Sequence, residues 1–291
     1  MKKTSSFGIA LMIFISSIAL IFCTASCEPV AASPLYVGGS GPGNYTMIQD
    51  ALDNATADGT IYVFPGTYHE RLILTTPVHL IGNNKDSTVL DGDNQEYVVV
   101  LDAGDCTLSG FTITHSGRVF PKAGVYIKSN GNIVSGNILT DNFYGMRLET
   151  VRRNLISSNE IFRNLRCGVY FSRSSDNTLT GNIVSNHPVN GFGLYEFSNN
   201  NTLLENVLSQ NNYSGINIRE STNNRVMNNH FNGDRIGLHV PPPEYSTNVQ
   251  GNVFSENRIS LEEEQDSIVA IGSYYTVLLI IVFFILWIKK K

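Results

Sequence analysis

The chain has 291 residues, of which only 15% are charged, and a formal net charge of -5 at pH 7. Its lysines cluster only at the two ends, so the basic footprint of a nucleic-acid binder is missing and nucleic acid is excluded as a partner. The abundance of Gly, Asn, Ser and Thr would suit a disordered chain, but apolar residues recur at period two throughout and argue for packed strands.

In chain order, Lys2 and Lys3 precede an apolar run from Phe7 to Phe22 and small residues at Ala25, Ala31 and Ala32. This layout predicts a secretory signal peptide over 1–31. A retained N-terminal anchor is the competing reading, and Cys27 after Thr24-Ala-Ser leaves lipidation open. Residues 32–60 form a cap: Ile48, Ala51, Leu52 and Ala55 share one helical face, which would cover the open end of a strand stack. Short apolar runs with Gly, Asn or Asp breaks follow from Ile61 to Leu261, as in Ile61-Tyr-Val-Phe, Val78-His-Leu-Ile and Tyr97-Val-Val-Val-Leu101. An acidic juxtamembrane linker, 262–267, precedes 21 uncharged residues, 268–288, and a Lys289-Lys-Lys291 tail. At ~1.5 Å per residue that run reaches ~31 Å, enough for one transmembrane helix. The lysines place the tail, 289–291, in the cytoplasm and the bulk of the chain outside, in an extracellular or periplasmic ectodomain.

From Asn132 onward a phrase Asn-x-(apolar)-x-x-Asn recurs every 22 to 24 residues, from Asn132-Ile-Val-Ser-Gly-Asn137 to Asn224-Arg-Val-Met-Asn-Asn229. Each phrase is followed by a Gly and alternating apolar residues, as in Gly145-Met-Arg-Leu, Gly168-Val-Tyr-Phe and Gly215-Ile-Asn-Ile. A fixed period of this length means a solenoid whose repeats bury their apolar faces against one another. Three short strands joined by tight turns fit the repeat, with Asn and Gly supplying left-handed backbone at the turns. The fold predicted is all-β: a single-stranded right-handed parallel β-helix of about nine coils. Stacking would align Asn137, Asn159, Asn182, Asn206 and Asn229 into a structural amide ladder. Cys106 and Cys167 lie nearly three repeats apart, ~13 Å at ~4.8 Å per coil, too far for a disulfide, so two unpaired buried thiols are expected. Glycosylation sequons occur at Asn44, Asn54, Asn200 and Asn212.

The phrases Ile48-Gln-Asp-Ala-Leu, Ile61-Tyr-Val-Phe-Pro-Gly-Thr-Tyr68, His79-Leu-Ile-Gly82 and Gly110-Phe-Thr-Ile113 resemble the opening coils of pectin-lyase-like β-helix proteins. The repeats that follow are similar to those of the NosD-like family, named for a periplasmic accessory to copper-site assembly. The resemblance covers about Tyr36 to Leu261 and implies the fold; such folds host several chemistries. It also implies copper handling as one alternative. That alternative finds no support in the spacing of His69, His79, His115, His187, His230 and His239, none of which pair at i, i+2 or i, i+4. No cofactor, copper or calcium is therefore expected, and Asp91, Asp93, Asp102 and Asp105 are read as turn residues.

The motifs of pectin methylesterases and polygalacturonases are missing, so no catalytic residue is assigned. Alternation points Val125, Met146, Val169, Phe192, Ile216 and Leu238 inward. Tyr126, Arg147, Tyr170, Gly193, Asn217 and His239 then form one outward row, and Lys128, Glu149, Ser172, Tyr195 and Arg219 the next. These rows hold one carboxylate, Glu149, short of the pair a glycosidase uses. They do suit a glycan, with Arg147, Glu149, Tyr170, Tyr195, Arg219 and His239 as the ligand face; the bland reading is that they decorate a solvated sheet. The expectation is a membrane-anchored surface protein that binds a glycan or envelope polymer. A carbohydrate-active lyase or hydrolase and a structural envelope spacer stand as alternatives.

Overall fold

The computed structural model describes residues 33–264. The expected signal peptide, Cys27 and the 268–288 span lie outside them, and no helix among the described residues is long and apolar enough to cross a membrane.

One coil explains the rest. After Asn132 come the strands Ile133–Ser135, Ile138–Thr140 and Tyr144–Glu149, each turning a corner into the next. Each pairs in parallel with its equivalent one coil later: Val134 with Ile156, Leu139 with Ile161, Met146 with Val169. Repetition builds three parallel sheets of ten, nine and nine strands, a right-handed β-helix of about ten turns. The inward residues of all three sheets form one continuous core, with Val125, Met146, Val169, Phe192, Ile216 and Leu238 fully enclosed. Cys106 and Cys167 are buried and unpaired, as expected.

Each corner joins two devices. The first is a left-handed residue, such as Gly131, Gly136 or Asp141 in this coil. The position is not reserved for Gly and Asn, as the sequence suggested. Arg163, Glu205 and Gln210 occupy it with φ of 52°, 55° and 55°. The second is the Asn that follows. At two of the three corners its side-chain amide donates to the Oδ1 of the Asn one coil on, and that oxygen also accepts the backbone N–H. Asn182 Nδ2 lies 2.9 Å from Asn206 Oδ1, and Asn182 N 3.0 Å from the same atom. The ladder 137–159–182–206–229 is therefore present, and Asn132–154–177–201–224 forms a second at another corner. Buried amides so satisfied replace the water that the turning backbone loses.

The recurring glycines do something other than turn. Gly145, Gly168, Gly191 and Gly215 have ordinary φ, but a Cβ on each would stand 2.5, 2.7, 2.6 and 2.7 Å from the carbonyl oxygen of the next glycine in the row. Close coil-to-coil approach selects them. Gly191→Ala is expected to cost about 1–3 kcal/mol, the range for overpacking, read as a lowered urea midpoint.

The cap is the helix Ile48–Asn54, which buries Ile48, Ala51 and Leu52. Glu70 from the first coil accepts the N–H groups of Ile48 and Gln49 at 2.9 and 3.0 Å, satisfying the helix N-terminus. Gln49 in turn bonds the backbone of Ile73 on the edge strand Leu72–Leu74, which blunts that edge.

Candidate functional site

The outer face of the third sheet carries the predicted rows in the predicted register. Tyr126, Arg147, Tyr170, Gly193, Asn217 and His239 pair in sequence, and Glu149, Ser172 and Tyr195 form the neighbouring row. The face is not an open sheet, however. Arg147, Asn217 and His239 are only 6%, 3% and 4% exposed, and over Arg147 lie aromatic rings from outside its strand.

Tyr97 stacks on Tyr126 with ring centroids 4.5 Å apart. The Arg147 guanidinium sits between the rings of Tyr126 and Phe120, 5.0 and 5.6 Å from their centroids. It pairs with Glu149 at 3.0 Å, and the Tyr126 hydroxyl donates to the same carboxylate oxygen at 2.5 Å. Burial, reinforced by that bond to Glu149, pushes the Tyr126 phenol up to about 12, so it remains a donor at every physiological pH. Farther along, Tyr144, Tyr170 and Tyr195 form a run of rings with centroids 4.9 and 5.3 Å apart. The Tyr195 ring folds back over Gly193, where a Cβ would meet it at 2.5 Å, and its hydroxyl accepts from Asn190 Nδ2 at 2.6 Å. Burial raises the Tyr195 phenol well above its usual range.

A cleft of about 290 Å³ opens between Tyr170, Tyr195, Glu196, Arg219 and Glu220. Glu196 corrects the sequence reading that this face holds one carboxylate. It lies one residue beyond the strand Asn190–Tyr195 with φ of 53°, a turn position that alternation does not address. Arg173 joins Glu196 to Glu149, with contacts of 2.7 and 3.4 Å, and Ser172 also donates to Glu196 at 2.7 Å. Glu262, read from sequence as the start of the 262–267 linker, instead lies in the strand Ile259–Glu263, in register with His239. Its oxygen is 3.8 Å from His239 Nε2. Burial, with Arg219 nearby, lowers the His239 pKa despite that carboxylate. Arg147 Nε, Asn217 Oδ1, Arg219 Nε and His239 Nδ1 are buried without hydrogen-bond partners; all four lie on this face, whereas only two other such atoms occur among the described residues.

A second constellation appears at the corner between the second and third sheets in the early coils. His69 Nδ1 is 2.8 Å from Asp93 Oδ1, and His115 Nδ1 is 2.9 Å from Asp91 Oδ2. The donor atoms of His69, Asp91 and Asp93 all lie within 4.8 Å of one another. Burial works against the Asp91 carboxylate, but the Asp93 N–H and the His115 ring hold its pKa below the ordinary value. Asp93 is a turn residue with φ of 50°, as read from sequence, whereas Asp91 ends the strand Thr88–Asp91. The sequons fall at Asn54, Asn200 and Asn212 on exposed positions, and at Asn44, whose amide is engaged with the Gly38 carbonyl at 2.6 Å.

The coil stack defines the chain as a right-handed parallel β-helix with a decorated third sheet. The family model described as "Periplasmic copper-binding protein (NosD)" matches residues 81–277, and the chain belongs to that family. Among solved structures, the A-module of mannuronan C-5 epimerase AlgE6 from Azotobacter vinelandii is similar, with 17% identity, 74% of each chain covered and a TM-score of 0.54. The catalytic domain of a GH87 alpha-1,3-glucanase in complex with nigerose aligns at 13% identity and TM-score 0.56, covering 78% of this chain and 46% of that one. Pectate lyase Pel9A aligns at 12% identity and TM-score 0.52, covering 81% of this chain and 80% of that one. At these identities the likeness establishes the fold. No curated protein sequence matches the chain.

The family description raises copper. Cys106, Cys167 and Met146 are enclosed in the protein and offer no open soft-ligand set for monovalent copper. The imidazole and carboxylates at His69, Asp91 and Asp93 are the donor types that divalent copper or zinc accepts.

Proposed function

We propose that the third-sheet face binds a linear polysaccharide lying along the helix axis and does not cleave it. The observation that carries this reading is the row of tyrosines ending in the cleft of Tyr170, Tyr195, Glu196 and Arg219. Successive coils offer a new side chain every ~4.8 Å, a repeat suited to a polymer rather than to a compact ligand. Tyrosine faces accept the apolar faces of sugar rings, while Arg219, Glu196 and Glu220 bond hydroxyls. Arg219 Nε and Asn217 Oδ1 are buried and lack protein partners, which leaves bridging water to link them to a ligand. Binding is favoured over hydrolysis because Glu196, although it lines the cleft, is held in an ion pair with Arg173, as Glu149 is. On this reading Arg147 and Glu149 hold the Tyr126 end of the face, and His239 with Glu262 the other. The ectodomain is displayed outside the membrane, anchored by the 268–288 span.

The test is retention of the full-length protein, in detergent, on immobilised plant, algal and bacterial polysaccharides. Each of Tyr170→Ala and Tyr195→Ala should cost about 1 kcal/mol, roughly fivefold in Kd. Retention of no glycan by the parent, or undiminished binding by the double variant, would discard the proposal. Release of reducing sugar by the parent would replace it with the hydrolase alternative.

A further inference from the structure

We propose that His69, Asp91 and Asp93 form a binding site for one divalent transition-metal ion, with His115 positioning Asp91. The site is independent of the glycan face.

The ligands come from the coil geometry. His69 follows the strand Gly66–Tyr68, Asp91 ends the strand Thr88–Asp91 that pairs with it, and His115 follows Thr112–Thr114 on the next coil. His69 and Asp93 are 24 residues apart, as are Asp91 and His115, so each contact spans one coil. The two aspartates of one coil thus face a histidine from the coil below and another from the coil above. One imidazole nitrogen and two carboxylate oxygens within 4.8 Å of one another need only small side-chain rotations to reach an ion at ~2.0–2.2 Å. The Asp93 backbone N–H holds Asp91 Oδ1 at 3.0 Å and His115 holds Oδ2 at 2.9 Å, the outer hydrogen bonding that orients metal-ligating carboxylates. A cleft of about 310 Å³, with Glu70 and Glu96 at its walls, opens beside the group and leaves room for water or a ligand group on the ion. His69 precedes the stretch matched by the family model, residues 81–277, whereas Asp91, Asp93 and His115 lie within it.

Imidazole with carboxylates selects a borderline ion such as Zn²⁺ or Cu²⁺; Ca²⁺ prefers oxygen ligands alone, and Cu⁺ prefers sulfur. The side chains of His69 and Asp93 are 58% and 51% exposed, which lets both be replaced without disturbing the core.

The experiment is calorimetric titration of ZnCl2 into the metal-stripped full-length chain at neutral pH. One Zn²⁺ per chain should bind and raise the thermal midpoint. His69→Gln and Asp93→Asn should each weaken binding by roughly a hundredfold or more, and His115→Gln by roughly ten- to a hundredfold. Their midpoints in chelator should match the parent. His230→Gln, an exposed histidine on the second sheet, should bind as the parent does. With Cu²⁺, electron paramagnetic resonance should show coupling to a single imidazole nitrogen. No Zn²⁺ binding, binding unchanged in the His69→Gln/Asp93→Asn double variant, tighter binding of Ca²⁺ than Zn²⁺, or two coupled nitrogens would each overturn the assignment.

Discussion

Asp234→Asn should stabilise the protein by about 3 kcal/mol at pH 8 and by almost nothing at pH 3. A third polar ladder runs along the corner between the second and third sheets, through Asn142, Asn164, His187, Asn211, Asp234 and Asn257. The place of each amide nitrogen can be gauged from the point where a Cβ would stand on the glycine one coil earlier. Asn142, Asn164 and Asn211 present Nδ2 there at 2.8, 3.0 and 3.2 Å, and Asp234 presents Oδ2 at 2.8 Å. An acceptor thus sits where its neighbours put a donor, buried and without a partner. In the other Asn of this ladder that nitrogen donates to a strand carbonyl, as Asn142 does to Ile113 and Asn164 to Leu139. Only the protonated acid can do the same. Burial accordingly pushes the Asp234 carboxyl up to about 6, against the lowering effect of the Asn211 N–H and amide.

The sign of the effect follows from proton counting. Between the ordinary carboxyl value and about 6, the folded protein holds a proton that the unfolded chain has released. Stability from this group is therefore complete below the ordinary value and is lost as pH rises through about 6. Asparagine keeps the donor at every pH, so its advantage appears only on the alkaline side. All other titrating groups are common to both proteins and cancel in the difference between their urea unfolding free energies. An equal gain at pH 3 and pH 8 would show that shape, not charge, separates the two side chains.

The ladder also shows what the sequence could and could not reveal. Asn137, Asn159, Asn182, Asn206 and Asn229 are legible because identical residues recur at one coil period, and stacking makes recurrence equal contact. The inward and outward rows are legible for the same reason, since the register of Met146 on Val169 fixes that of Arg147 on Tyr170. Burial of the outward row was not legible. Alternation gives direction, but Arg147 is covered by Phe120, from a loop that belongs to no strand. Glu196 escaped because it sits in a left-handed turn immediately after the last aligned residue. The glycines misled in a different way: Gly191 answers to a neighbouring carbonyl, a demand of packing that leaves no trace in local propensity. For His69 and Asp93 the signal was present but sought at the wrong distance. Spacings of two or four test one strand or one helix, whereas in a solenoid adjacent ligands are one coil, 24 residues, apart.

His187→Asn should show the opposite pH dependence, a gain about 3 kcal/mol larger at pH 4 than at pH 8. His187 occupies the ladder between Asn164 and Asn211. Its Nδ1 is 2.9 Å from Asn211 Oδ1, an acceptor, and its Nε2 is 3.2 Å from Asn164 Nδ2, a donor. These neighbours fix the neutral tautomer with the proton on Nδ1, because a second proton on Nε2 would face the Asn164 amide hydrogens. Burial lowers the pKa to about 4, with the bond to Asn211 resisting. The unfolded chain takes up a proton near the ordinary histidine value while the folded protein refuses it. Stability from the neutral ring is thus present above that value and lost as pH falls toward about 4. Asparagine does not titrate and keeps the ladder polarity, so the acid penalty disappears. The imidazole carbon and nitrogen resonances of His187 give an independent reading, and a proton on Nε2 at neutral pH would refute the assigned polarity. Taken with Asp234→Asn, the two variants should cross: one gains in alkali and the other in acid, from the same column of side chains two coils apart. A double variant should carry both gains, because Asn211 stands between the two sites and keeps its own partners in each.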